Sequence, residues 1–166
     1  MIRTWTPESK IKTTPPGTVD YHTVKAWFQQ CRDLADEIDS IQLEVQRLRD
    51  NATRCTANLS GMPGGSGYGD KISAYTEKAD VEERRKQALE AELYALREEA
   101  ICRIRHIQGT KSSALMQESL YGYYVRNQKQ IVVARSLLLP NENRVSLYIR
   151  EGTKYLAGIW NDLQAG

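Results

Sequence analysis

The chain has 166 residues, with 23 Lys and Arg against 21 Asp and Glu, a formal net charge of +2. That near balance excludes a histone-like polycation and an acidic solvating tail. With 40% apolar residues, 27% charged residues and a single Phe, the chain supports a modest core but not a large sandwich or barrel.

The opening MIRTWTPESK lacks the apolar stretch of a secretory signal, and no run of about 18 uncharged apolar residues follows that could span a membrane. A cytoplasmic protein is expected. Cys31, Cys55 and Cys102 are odd in number and show no CxxC spacing, so neither a disulfide framework nor a zinc knuckle is indicated. Cys102 and His106 are four apart and could share a helix face. Two ligands leave a tetrahedral site open, and His22 lies far away, so no metal is expected.

Residues 1–20 read as a flexible arm, because Pro15 and Pro16 cannot continue a helix. From Asp20, a plausible N-cap, the pattern changes. Val24, Trp27, Cys31, Leu34, Ile38, Ile41, Val45, Leu48, Ala52, Cys55 and Leu59 follow an unbroken three-four spacing with charges between them. These are the a and d positions of about five heptads, which predicts a long helix with one stripe to bury. Phe28 and Ala35 widen the stripe and imply more than one neighbour.

The segment Ser60 to Asp70, SGMPGGSGYGD, holds five Gly and one Pro and is expected as a turn. It follows a helix and lacks a closing Lys-Ser/Thr pair, so it is not a phosphate-cradling loop. A second helix is predicted from about Lys71 to Gln108, stopped by Gly109. Ile72, Tyr75, Ala79, Leu89, Leu93, Leu96, Ala100 and Ile107 keep the heptad phase, while Glu82 and Lys86 interrupt it. Two long helices joined by a short linker predict an antiparallel hairpin over 21–110, with EERRK at 82–86 on a solvated face.

Residues 111–166 carry seven Lys and Arg against four Asp and Glu, so the excess positive charge lies here. Three helices are predicted: Ser113 to about Arg126, with Ser112 or Ser113 as cap, Gln128 to about Leu138, and Asn141 to about Leu163. In the last, Val145, Tyr148, Ile149, Gly152, Leu156, Ile159, Trp160 and Leu163 share one face. Asn143, Leu147, Arg150 and Lys154 gather opposite, with Arg144 on the flank. A short helix, a tight turn and a longer helix with outward basic and amide residues is the layout of a helix-turn-helix. Ala134 is the small residue needed where the two helices cross. Arg144, Arg150 and Lys154 are candidate DNA contacts, Asn141 and Asn143 candidate base readers, and Arg126, Lys129 and Arg135 candidate phosphate contacts. The turn Leu138-Leu139-Pro140-Asn141 lacks the Gly that many such motifs use. A three-helix bundle with a merely solvated charged face fits the same pattern.

Tyr121, Tyr123 and Tyr124 could stack on bases, although their spacing suits inter-helix packing better. No GxSxG or HExxH motif and no His beside a candidate nucleophile occurs, so no catalysis and no cofactor is expected.

The order of parts, with LSGMPGGSGYGDKISAY between two helices and a final helix containing REGTKYL, resembles the late-gene transcriptional regulators of Gram-positive phages and mobile elements typified by RinA and the ArpU-like proteins. The loop Leu59 to Lys71 is the most specific match, and the likeness covers roughly residues 21–163. It implies a C-terminal part similar to sigma-factor region 4, a recognition segment over Asn141 to Lys154, and activation of phage late genes in a bacterial host cytoplasm. It also implies a hairpin that self-associates or contacts host RNA polymerase.

The expectation is thus an all-α protein: a long antiparallel hairpin of coiled-coil character followed by a compact C-terminal helix-turn-helix domain over 111–166. Its expected role is a homodimeric regulator that binds double-stranded DNA. A small terminase-like packaging protein and a coiled-coil adaptor without DNA affinity are the alternatives.

Overall fold

The computed structural model describes residues 19–58 and 67–165, the side chains of 58, 67, 68, 164 and 165 excepted. The expected loose arm therefore lies, up to residue 18, outside the described residues, as do Leu59 and the 60–66 part of the Gly-rich segment.

Five α-helices make up the described chain: α1, Tyr21–Asn58; α2, Gly67–Ile104; α3, Ser113–Leu120; α4, Gln130–Ser136; and α5, Glu142–Ile159. A π-helical turn, Tyr121–Val125, extends α3, and a short 3-10 turn, Asp162–Ala165, follows α5. Among the described residues there is no strand, as expected, and no helix is long and apolar enough to cross a membrane.

Asp20 starts α1 by accepting a hydrogen bond from the His22 amide at 3.1 Å, one of the orphan donors of the first turn. The heptad stripe is the buried face of α1: Val24, Cys31, Ile41, Val45 and Leu48 are buried, and Trp27, Leu34 and Ile38 are half-buried. Phe28 and Ala35, which widen the stripe, are buried as well. α1 and α2 run antiparallel, seated side by side at Ala35 with Leu93 and at Leu48 with Ala74 and Val81.

Both ends of α2 differ from the sequence expectation. It begins at Gly67 rather than Lys71, inside the segment expected to turn, so Gly67 and Gly69 are helical. Each Gly costs about 1 kcal/mol in a helix interior, but less in a first turn, where Asp70 also complements the helix dipole. At the other end α2 stops at Ile104, four residues short of Gln108. The chain tightens there through His106 N–H to Arg103 O and Ile107 N–H to Ile104 O, both 3.1 Å, and this delivers Ile107 into the core. The freed carbonyls are taken by side chains: Gln117 Nε2 donates to Ile107 O at 2.6 Å and Tyr155 Oη to Gln108 O at 3.1 Å.

The EERRK run does more than face solvent. Arg85 pairs with Glu37 at 2.6 Å, Lys86 donates to Gln42 at 2.6 Å, and Glu83 lies 3.7 Å from Arg49, so its charges bridge the two helices.

The C-terminal helices pack against the base of this hairpin, where α1 begins and α2 ends. One apolar cluster runs continuously from Val24, Phe28 and Leu93 to Val133, Leu156 and Trp160. Phe28 stacks on Tyr124 with centroids 5.4 Å apart, and Trp160 meets Phe28 and Trp27 edge-on at 5.9 and 5.2 Å. Arg103 is 7% exposed and packs against the touching rings of Trp27 and Trp160, 5.0 and 4.1 Å from their centroids, its charge partnered by Glu99 at 2.6 Å.

Helix α3 is shorter than expected and the predicted helical stretch to Arg126 changes pitch. Arg126 N–H reaches back five residues to Tyr121 O, at 2.8 Å. The extra residue in this turn brings Gly122 against α4, where a Cβ would meet Val133 Cγ2 at 2.7 Å. Ser112 occupies the N-cap position of α3 without a side-chain bond, while Ser113 Oγ accepts from the Thr110 amide at 3.0 Å.

Candidate nucleic-acid interface

α4 spans seven residues, two shorter than expected at each end, and α5 ends at Ile159 rather than Leu163. Ala134 of α4 is buried, as is its neighbour Val133. The intervening turn answers the missing glycine directly. Leu138 itself takes φ +55°, the left-handed conformation that glycine adopts without cost, and its side chain is 93% exposed. Asn141 then caps α5, its Oδ1 accepting from the Arg144 amide at 3.2 Å. That bond uses one of the two lone pairs on the side-chain oxygen of an expected base reader and fixes its orientation, with its amide donors still free.

Helix α5 divides as its periodicity requires. Val145, Ile149, Gly152, Leu156 and Trp160 are buried, and Tyr148, Ile159 and Leu163 are half-buried. Asn143, Arg144, Arg150 and Lys154 are exposed, with Leu147 half-buried among them. Gly152 permits the close crossing with α3, since a Cβ there would lie 2.9 Å from Leu120 Cδ1 and 3.3 Å from Met116 Cβ. The ion pairs of the described residues draw on Arg47, Arg49, Arg85, Lys86, Arg103 and Arg126, so none engages a cation of α5.

The exposed face of α5 does not stand alone. The Val19 amide donates to Ala157 O at 3.0 Å and so ties the start of α1 to the end of α5. A cleft of about 300 Å³ lies between these two helices. Asn143, Ser146 and Arg150 line one wall, Tyr21, Lys25 and Gln29 the other, at four-residue spacing along α1. Tyr123 and Tyr124 from the π turn and Gln130 from α4 also line it. Arg32 fixes the Tyr123 side: its guanidinium lies 4.0 Å from the ring centroid and donates to the carbonyls of Tyr123 and, at 3.0 Å, Gln128.

Of the eight expected contact residues, the structure brings Asn143 and Arg150 together in this cleft. Arg144 and Lys154 are exposed elsewhere on α5, and Arg126, Lys129 and Arg135 are exposed around α4. Arg126 lies 3.9 Å from Glu118, which dilutes its charge. The three tyrosines separate by role. Tyr124 is buried in the aromatic cluster, where burial pushes its hydroxyl well above the usual tyrosine range, Tyr121 is half-buried, and Tyr123 alone of them combines cleft lining with partial exposure. Lys25, Gln29 and Tyr21 were not singled out from sequence. Their four-residue spacing beside the heptad stripe marks a helix flank, but nothing local says that α5 lies opposite.

Among the described residues no cluster of three or more His, Cys, Asp or Glu could hold a metal. Compared with known proteins, the chain matches no family model, no curated protein and no solved structure.

Proposed function

We propose that the protein binds double-stranded DNA through the exposed face of α5 and regulates transcription. The observation that carries this reading is the division of α5. One face is sealed on α3, α4 and α1, and the other presents Asn143, Arg144, Arg150 and Lys154, whose charges form no ion pair among the described residues. Arg forks to guanine, Asn pairs with adenine and Lys meets phosphate, so these are the donors that direct readout uses. In this reading α4, the turn at Leu138 and α5 act as a helix-turn-helix, whose second helix enters the major groove. Arg126, Lys129 and Arg135 are the phosphate contacts of this reading.

A net charge of +2 is modest for a phosphate binder, and a dimer doubles the footprint. In this reading the long hairpin supplies the self-association, with Leu43, Val81 and Tyr94 exposed along it. The likeness of the Leu59 to Lys71 segment to phage late-gene regulators favours an activator of such genes.

The test is binding of the purified protein to labelled duplexes, including fragments flanking its own gene, at two salt concentrations with excess unrelated competitor. The expected result is binding to one fragment that survives competitor and weakens steeply with salt. Arg150→Ala should weaken that complex by about 1–3 kcal/mol and relax the preference at one base pair. Salt-sensitive binding that competitor erases would favour DNA packaging instead. No binding to any duplex would leave a protein-binding adaptor as the better account.

A further inference from the structure

Both walls of the cleft between α1 and α5 carry polar side chains, with Leu147 and Ile149 beside them on α5, and among the described residues no carboxylate lines it. Lys25 faces the side on which α5 carries Asn143 and Arg150, so two cations from helices far apart in sequence line one space of about 300 Å³. That volume suits one nucleotide residue better than a large cofactor. Gln29 is held in place by donating one amide N–H to Asp33 at 3.0 Å, which leaves its second N–H for a ligand. The walls are fixed rather than open to drift. The Val19–Ala157 bond pins one end, and the Arg32 guanidinium on Tyr123 braces the floor.

An α-helix with its side chains is about 10–12 Å across and fills a major groove about 12 Å wide. A duplex that admits α5 therefore has one sugar-phosphate strand running along each side of that helix. On the α1 side, the space available to such a strand is this cleft.

We propose that the cleft receives the DNA sugar-phosphate strand bordering the groove that α5 enters, with Lys25 as its principal phosphate contact and Gln29 as a second donor. This rests on the DNA-binding reading above. It makes the first three turns of α1 part of the interface and gives the tie between α1 and α5 a role. Because phosphates carry no sequence information, Lys25 contributes affinity and register, while base choice stays with α5.

The experiment uses the full chain and a duplex that the wild-type protein binds. Affinities are measured against salt for the wild type, Lys25→Ala and Arg54→Ala, an exposed residue of the hairpin outside the cleft. Lys25→Ala should weaken specific and unrelated duplexes by the same factor and lower the log–log salt slope by about 0.9. The wild-type advantage should then narrow about threefold between about 50 and about 200 mM salt. Arg54→Ala should match the wild type. A duplex with one neutral methylphosphonate at the contacted position should bind the wild type and Lys25→Ala equally. If the wild type binds duplex but Lys25→Ala leaves affinity and slope unchanged, the cleft does not hold the strand, and the reading of α5 survives. Saturable binding of a mononucleotide such as AMP that Lys25→Ala abolishes, with duplex binding unaltered, would overturn the proposal in favour of a small-ligand site. Failure of the wild type to bind any duplex would overturn both readings together.

Discussion

The two ends of the helical hairpin are built differently. At the base, α1 and α2 are covered by the C-terminal helices and the π turn, and the core is aromatic: Phe28 touches Trp27, Tyr124 and Trp160, and the Arg103 guanidinium packs on Trp27 and Trp160. Further out, α1 and α2 have only each other. Ile41, Val45, Leu48 and Ala79 form a narrow buried seam, flanked by exposed ion pairs such as Arg85 with Glu37. Aromatic pairs add about 0.5–1.5 kcal/mol each beyond burial, whereas an exposed ion pair adds about 0.2–1 kcal/mol. Stability is therefore concentrated where the proposed DNA-binding face is attached, and the arm is held by periodicity alone.

The largest effect should come from the residue that joins hairpin to bundle. Arg103→Ala removes a buried side chain that packs against two Trp rings, and a loss of about 2–4 kcal/mol is expected by chemical denaturation. A loss under about 0.5 kcal/mol would mean that the base is not sealed at this point.

Cys31 probes the same core chemically. Burial pushes its thiol up from 9.0 to about 11, so the folded state holds it protonated where the unfolded chain ionises. Its contribution to stability is fully present below pH 9 and is lost as pH rises through about 11. Native protein at pH 8 should therefore label with a thiol reagent at exposed Cys102 and not at Cys31. Rapid labelling of Cys31 without unfolding would break the contrast between the two ends.

A smaller effect, of opposite sign, is expected at the turn of the α4–α5 unit. Leu138→Gly relieves a left-handed leucine whose side chain packs on little, and should stabilise by about 0.5–1 kcal/mol after the added chain entropy of glycine. Destabilisation would mean that the exposed leucine makes a contact that holds the unit. On the arm, Arg85→Ala should cost no more than about 0.5 kcal/mol and less at high salt, checked by thermal melts at two ionic strengths.

What the sequence disclosed follows the same division. The stripe from Val24 to Leu48 and the two faces of α5 are local patterns, and helical periodicity is enough to read them. Asp20 was legible for the same reason, because capping needs only neighbours, whereas Asn141, expected as the first residue of the last helix and a base reader, is instead the cap of α5. Three features were not legible. The π turn depends on Gly122 meeting Val133. The early end of α2 depends on a core that draws Ile107 inward. The pairing of Lys25 with Arg150 across a cleft depends on two helices separated by most of the chain. Each is a tertiary event overriding a local preference at the base; on the arm, the helical start of α2 at Gly67 and the Arg85–Glu37 bridge across the hairpin were equally hidden from the sequence.

The central claim is that the exposed face of α5, not the arm, meets DNA. The most direct measurement is a nuclear magnetic resonance titration of isotope-labelled protein with a duplex that binds. The account predicts chemical-shift changes at Asn143, Arg144, Arg150 and Lys154 and at Lys25, with the seam residues Ile41, Val45 and Leu48 unmoved. Shifts confined to the arm, with α5 silent at saturation, would contradict it.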